Sequence, residues 1–118
     1  MLKGDMVKSD LIGKIEELVE AELKKANEQS PLFASDHEAY AFLLEEMQCA
    51  SEAIDSIDSD LCTMWQRIKV RQECTMRKQR IVSYALFLAM EAVQIAAMAK
   101  KAIDSEKARK EAEECKEE

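Results

Sequence analysis

Two polar side chains, Glu91 and Gln94, stand in the middle of an almost wholly apolar stretch, residues 81–103, IVSYALFLAMEAVQIAAMAKKAI. Their i, i+3 spacing puts both on one face of a helix. Tyr84, Phe87, Leu88, Ile95 and Met98 fall on the same line at steps of three and four. A carboxylate in that setting must be paired, hydrogen-bonded, metal-bound or protonated, because burying an isolated charge is very costly. What meets Glu91 decides what chemistry the chain can do.

The candidates to meet it are Glu45, Glu46 and Glu52, on an earlier helical stretch. If the two helices pack antiparallel, carboxylates on facing lines meet in the core, as they do where helical bundles hold divalent metals. Hard cations such as Mg²⁺ take oxygen ligands and keep waters and substrate phosphates in the remaining positions. Such a metal polarises a phosphoryl oxygen and activates a water. The structural alternative is neutralisation of Glu91 by a Lys or Arg, or hydrogen bonding to Tyr40 or Tyr84. Gln94 reads as a hydrogen-bonding partner, and Glu45-Glu46 as equally consistent with a solvated shoulder.

The elements that position these groups are helices. Only two glycines and one proline occur, all before residue 32, so the rest of the chain has no hairpin-turn signal and no Gly-rich phosphate loop. Good helix formers dominate, and the expected fold class is all-α: an antiparallel bundle of about four helices in one domain over residues 1–118. Within it, 1–30 holds an amphipathic helix capped by Ser9 or Asp10 and broken at Pro31. Residues 35–103 form the core, and 104–118 a charged, fraying helical tail. Ser35 and Glu38 form a capping box, with Leu32 or Phe33 as staple. The second helix carries Tyr40, Leu43, Met47, Ala50, Ile54 and Ile57 in one stripe, with Phe42, Glu46, Cys49 and Ala53 along its shoulder. It is expected to end in the Ser/Asp run 55–60, whose side chains compete for backbone hydrogen bonds. A short third helix with Leu61, Met64, Trp65 and Ile68 follows, then a turn near 73–76 and a long fourth helix over 77–103.

Composition excludes some functions. The formal net charge of −7 disfavours direct nucleic-acid binding. No uninterrupted apolar run reaches the ~20 residues of a membrane span, and the N-terminus lacks the apolar centre of a secretory signal. Cys49, Cys62, Cys74 and Cys115 show no CxxC pairing, so free thiols in a reducing cytoplasm are expected. The long apolar fourth helix has more apolar surface than its neighbours cover, which points to a homo-oligomer.

The segment HEAYAFLLEEMQCASEAI (37–54), followed after a short helix by MEAVQIAAMAKKAI (90–103), resembles MazG-like proteins of the all-α nucleoside-triphosphate pyrophosphohydrolase superfamily, small phage and prophage members in particular. The likeness covers helices two and four. It implies an EExxE motif on one helix and ExxD on a later one. It also implies four carboxylates on Mg²⁺, cleavage of nucleoside triphosphates to monophosphate and pyrophosphate, and dimers or tetramers. Glu45-Glu46 matches the paired glutamates and Glu91 the Glu of ExxD. The last Glu of EExxE falls on Cys49 and the Asp on Gln94, so two of the four carboxylates are replaced, with Glu52 one turn beyond Cys49. The resemblance makes Glu46 and Glu91 the catalytic metal ligands, assisted by Glu45 and Glu52, with hydrolysis weakened or lost. The alternative it leaves is a non-catalytic helical oligomer that keeps the scaffold.

Overall fold

The expected all-α class is what the chain adopts, in three helices among the described residues. A computed structural model describes residues 2–30 and 32–117, with side chains over 9–30 and 32–116. Helix α1 spans Leu2–Gln29, α2 Asp36–Lys69 and α3 Thr75–Glu117. No strand occurs among the described residues. Helix α1 begins before Ser9 and Asp10, which lie inside it rather than at its cap. Pro31 is outside the described residues.

The count of three corrects the expectation of about four. The Ser/Asp run 55–60 does not end a helix, because α2 continues to Lys69 and absorbs the expected third helix. Local hydrogen-bonding competition there is overridden by a tertiary contact at Asp60. The turn comes slightly earlier than expected, and its geometry explains why no glycine announces it. Arg71 adopts φ 57°. Gln72 N–H donates to the Arg67 carbonyl at 2.9 Å and Arg71 N–H to that of Ile68 at 3.1 Å. This is a Schellman ending with arginine in the left-handed position.

The chain divides into two units, Met1–Leu43 with Val93–Glu118, and Leu44–Ala92. In the first, one line of α3 grips the α1–α2 connection. Lys101 is buried, with Nζ donating to Ser30 Oγ at 3.0 Å and lying 5.1 Å over the Phe33 ring. Its charge also lies 3.5 Å from the Ala26 carbonyl, where the negative end of the α1 dipole favours a cation. One turn on, Ser105 Oγ accepts from Phe33 N–H at 2.9 Å and donates to the Lys101 carbonyl at 2.7 Å. Another turn on, Arg109 donates to the Phe33 carbonyl at 2.9 Å and to Asp36 at 3.1 Å. Ser105 and Arg109 thus fasten the start of the expected charged tail, while residues 110–116 are helical and exposed. Phe33 is the buried staple, its ring 5.5 Å from that of Phe42, and the capping box forms with Glu38 N–H on Ser35 Oγ at 3.2 Å.

In the second unit, α2 and α3 run antiparallel on a line of α2 residues seven apart: Glu46, Ala53 and Asp60. Ala53 and Asp60 are buried, while the stripe Met47, Ile54, Leu61, Trp65 and Ile68 is exposed. Of the expected shoulder in this unit, Ala53 is buried and Glu46 and Cys49 half-buried; of the expected stripe, Met47 and Ile54 are exposed and Ala50 and Ile57 half-buried. By length and composition alone, α3 also contains a stretch apolar enough to cross a membrane, with mean hydropathy 1.8, Glu91 at its middle.

Two outcomes follow for stability. Ser105→Ala strands the Phe33 N–H in a buried site and should cost about 1–3 kcal/mol in chemical denaturation. Arg71→Gly relieves a left-handed non-glycine residue and should stabilise the chain by ~1 kcal/mol in the same measurement.

Candidate functional site

The second unit has buried carboxylates at both ends of its α2–α3 contact. At the turn end, Asp60 is 1% exposed, and its Oδ1 accepts from Arg80 Nε at 2.9 Å and Arg77 Nη1 at 3.1 Å. Burial pushes this carboxyl up, but the two guanidiniums outweigh that and hold it below its ordinary value. Arg80 also stacks 5.4 Å over the Tyr84 ring and donates to its hydroxyl at 3.5 Å. Tyr84 is thereby turned toward Arg80.

Fourteen residues back along α2, and fourteen forward along α3, the same antiparallel register sets Glu46 opposite Glu91. Glu91 is 6% exposed, so the apolar setting read from the sequence does bury it. Its partner is another carboxyl. The hydrogen bond that Glu46 shares with Glu91, then burial, then the negative charge of Glu91 push the Glu46 carboxyl up to about 7. Two carboxyls set against each other oppose ionisation, and here it is Glu46 whose carboxyl is raised. Glu91 Oε2 is buried and has no hydrogen-bond partner among the described residues.

The remaining expected residues are placed differently. Glu45 and Glu52 are exposed on α2. Glu45 acts on Glu46 only by charge through space. Cys49 is half-buried in the same neighbourhood; burial, then the charges of Glu91 and Glu52, push its thiol up. Gln94 is half-buried and belongs to the other unit. All four cysteines are free.

Among the described residues, no group of three or more His, Cys, Asp or Glu side chains is arranged to hold a metal. Two carboxyls with one orphaned oxygen are too few for an all-protein cage.

Sequence reasoning missed the Asp60–Arg77–Arg80 cluster. A signal was present, because Asp60 continues the seven-residue line of Glu46 and Ala53 along α2. Comparison with protein-family models, curated proteins and solved structures finds no match to this chain.

The raised Glu46 carboxyl has a signed consequence. The folded state binds the proton more tightly than the unfolded chain, whose carboxyl titrates near its ordinary 4.5. Folding stability contributed by this proton is complete at low pH and is lost as pH rises through about 7. Melting temperature measured across that window should fall with rising pH. Glu46→Gln, whose amide can donate to Glu91 at every pH, should flatten the fall and melt higher than wild type at pH 8.

Proposed function

We propose that this chain is a MazG-like helical protein acting on nucleoside triphosphates, with a site reduced to Glu46 and Glu91. The observation that carries the reading is the meeting of these two carboxyls, one on α2 and one on α3, with a buried oxygen left without a donor. Its other supports are the motif likeness of Glu45-Glu46 and Glu91 and the antiparallel α2–α3 pairing on which they lie.

In this reading Glu46 and Glu91 would hold Mg²⁺ jointly with the triphosphate. The ion, when bound, supplies charge neutralisation to the phosphate oxygens. Without the ion, Glu91 and burial raise the Glu46 carboxyl to about 7; as ligands both carboxyls would be held ionised, and Glu46 would orient the attacking water. Water adds to the phosphorus nearest the nucleoside, the bond to the bridging oxygen breaks, and pyrophosphate leaves with the electron pair. Glu91 fixes the position of Glu46 from the opposite helix. Cys49 and Gln94 contribute no anionic ligand, so turnover is slow.

Pyrophosphate release from a panel of nucleoside triphosphates with Mg²⁺ or Mn²⁺ tests this. Release should be measurable with the wild type and drop at least ~100-fold in Glu46→Gln, which removes one of the two anionic ligands. No release from any nucleotide, with Glu91→Ala unchanged, would overturn it.

A second reading is a non-catalytic helical oligomer. It is favoured by the exposed seven-residue stripe of α2 and by the replacement of two motif carboxylates. It expects no rise in melting temperature with millimolar Mg²⁺ and nucleotide, since nothing would bind the native state selectively.

A further inference from the structure

Two independent patterns in the second unit describe a surface built for another copy of itself. The first is apolar. Met47, Ile54, Leu61 and Ile68 recur every seven residues on α2, with Trp65 beside them, and all five are 45–57% exposed. Together they leave roughly 500 Å² of side chain in water per chain, most of the ~800 Å² per partner that a stable pair buries. A seven-residue apolar stripe is the sequence form of a helix–helix seam.

The second is electrostatic. From residue 45 to 58, α2 carries five acids (Glu45, Glu46, Glu52, Asp55, Asp58) and no Lys or Arg. From residue 61 to 80, the helix end and the turn carry six Lys or Arg against one acid, Glu73. Arg77 and Arg80 are taken up by Asp60, but Lys69, Arg71 and Lys78 are exposed. A parallel partner would set acid on acid and base on base. An antiparallel partner sets the basic turn of each copy against the acidic stretch of the other, twice, as two-fold symmetry requires.

We propose that two copies pair antiparallel along the exposed α2 stripe, with Lys69, Arg71 and Lys78 of each copy lying against the acidic 45–58 stretch of the other. This rests on the oligomeric reading for the existence of a second copy and adds the face and the direction. It is independent of whether Glu46 and Glu91 handle nucleotides. It also brings cations toward the end of α2 that bears Glu46.

Light scattering on the wild-type chain first establishes the oligomer. Equal amounts of ¹⁴N- and ¹⁵N-labelled chain are then mixed, and zero-length carbodiimide cross-links are mapped by mass spectrometry. Mixed-isotope links should join Lys69 or Lys78 of one copy to acids of 45–58 in the other. A charge-reversed turn (Lys69→Glu, Arg71→Glu, Lys78→Glu) and a charge-reversed stretch (Asp55→Lys, Asp58→Lys) should each weaken self-association at least tenfold. Mixing the two variants should restore a heterodimer. A monomer at every concentration, including one that partitions instead onto lipid vesicles, overturns both the oligomer and its direction. An oligomer unaffected by either reversal, or one disulfide-linked turn to turn through Cys74 under mild oxidation, overturns the antiparallel pairing alone.

Discussion

The seven-residue line Glu46–Ala53–Asp60 is the constraint on which the second unit depends. It puts two acids and one small residue on the face of α2 that packs against α3. Each acid then demands compensation from the facing helix, since an unpaired buried charge costs several kcal/mol. Asp60 obtains it from two guanidiniums, which point charge and shape in one direction and so set the register. Glu46, half-buried beside Glu91, meets it by holding its own proton more tightly. The difference between these two solutions is the difference between a lock and a titratable site. Once Asp60 is fixed between Arg77 and Arg80, Glu46 and Glu91 are brought together fourteen residues away, without a choice of partner.

The first unit solves a similar problem by other means. Lys101 is buried without an acid against it. It is held by the carbonyl end of α1, a serine hydroxyl and an aromatic face. Partial charges spread over several groups do there what a formal counter-charge does at Asp60. Ser105 and Arg109 extend the same line and satisfy both the N–H and the carbonyl of Phe33, so a connection that would otherwise expose a phenylalanine is pinned.

How much of this was legible in the sequence follows from which forces are local. Helix formation was, because it rests on propensity and on the near absence of glycine and proline. The burial of Glu91 was, because apolar residues flank it at helical spacing on either side. The continuity of α2 through residues 55–60 was not. Serine and aspartate read locally as a helix end, and only the distant Arg77 and Arg80 make Asp60 a core residue. The turn was legible only to within a few residues, because Arg71 takes a left-handed conformation that sequence reading reserves for glycine. The grip of Lys101, Ser105 and Arg109 was equally hidden: polar residues four apart look the same whether they face water or the backbone of another helix. At the candidate site, Glu46 was legible only as one of three acids that could face Glu91. The exposure of Glu45 and Glu52 was not, since which side of a helix is packed depends on the partner it finds.

The same reasoning explains why the larger apolar stripe of α2 is the open one. A three-helix chain has one partner for α2 in the second unit, and that partner takes the line bearing Glu46 and Asp60, where charge has to be compensated. Apolar side chains can wait for a second surface at a cost of about 25 cal/mol per Å² while exposed. Buried acids cannot wait, because they fold only with their partners already present. Charge therefore chooses the intramolecular face, and the hydrophobic stripe is left open.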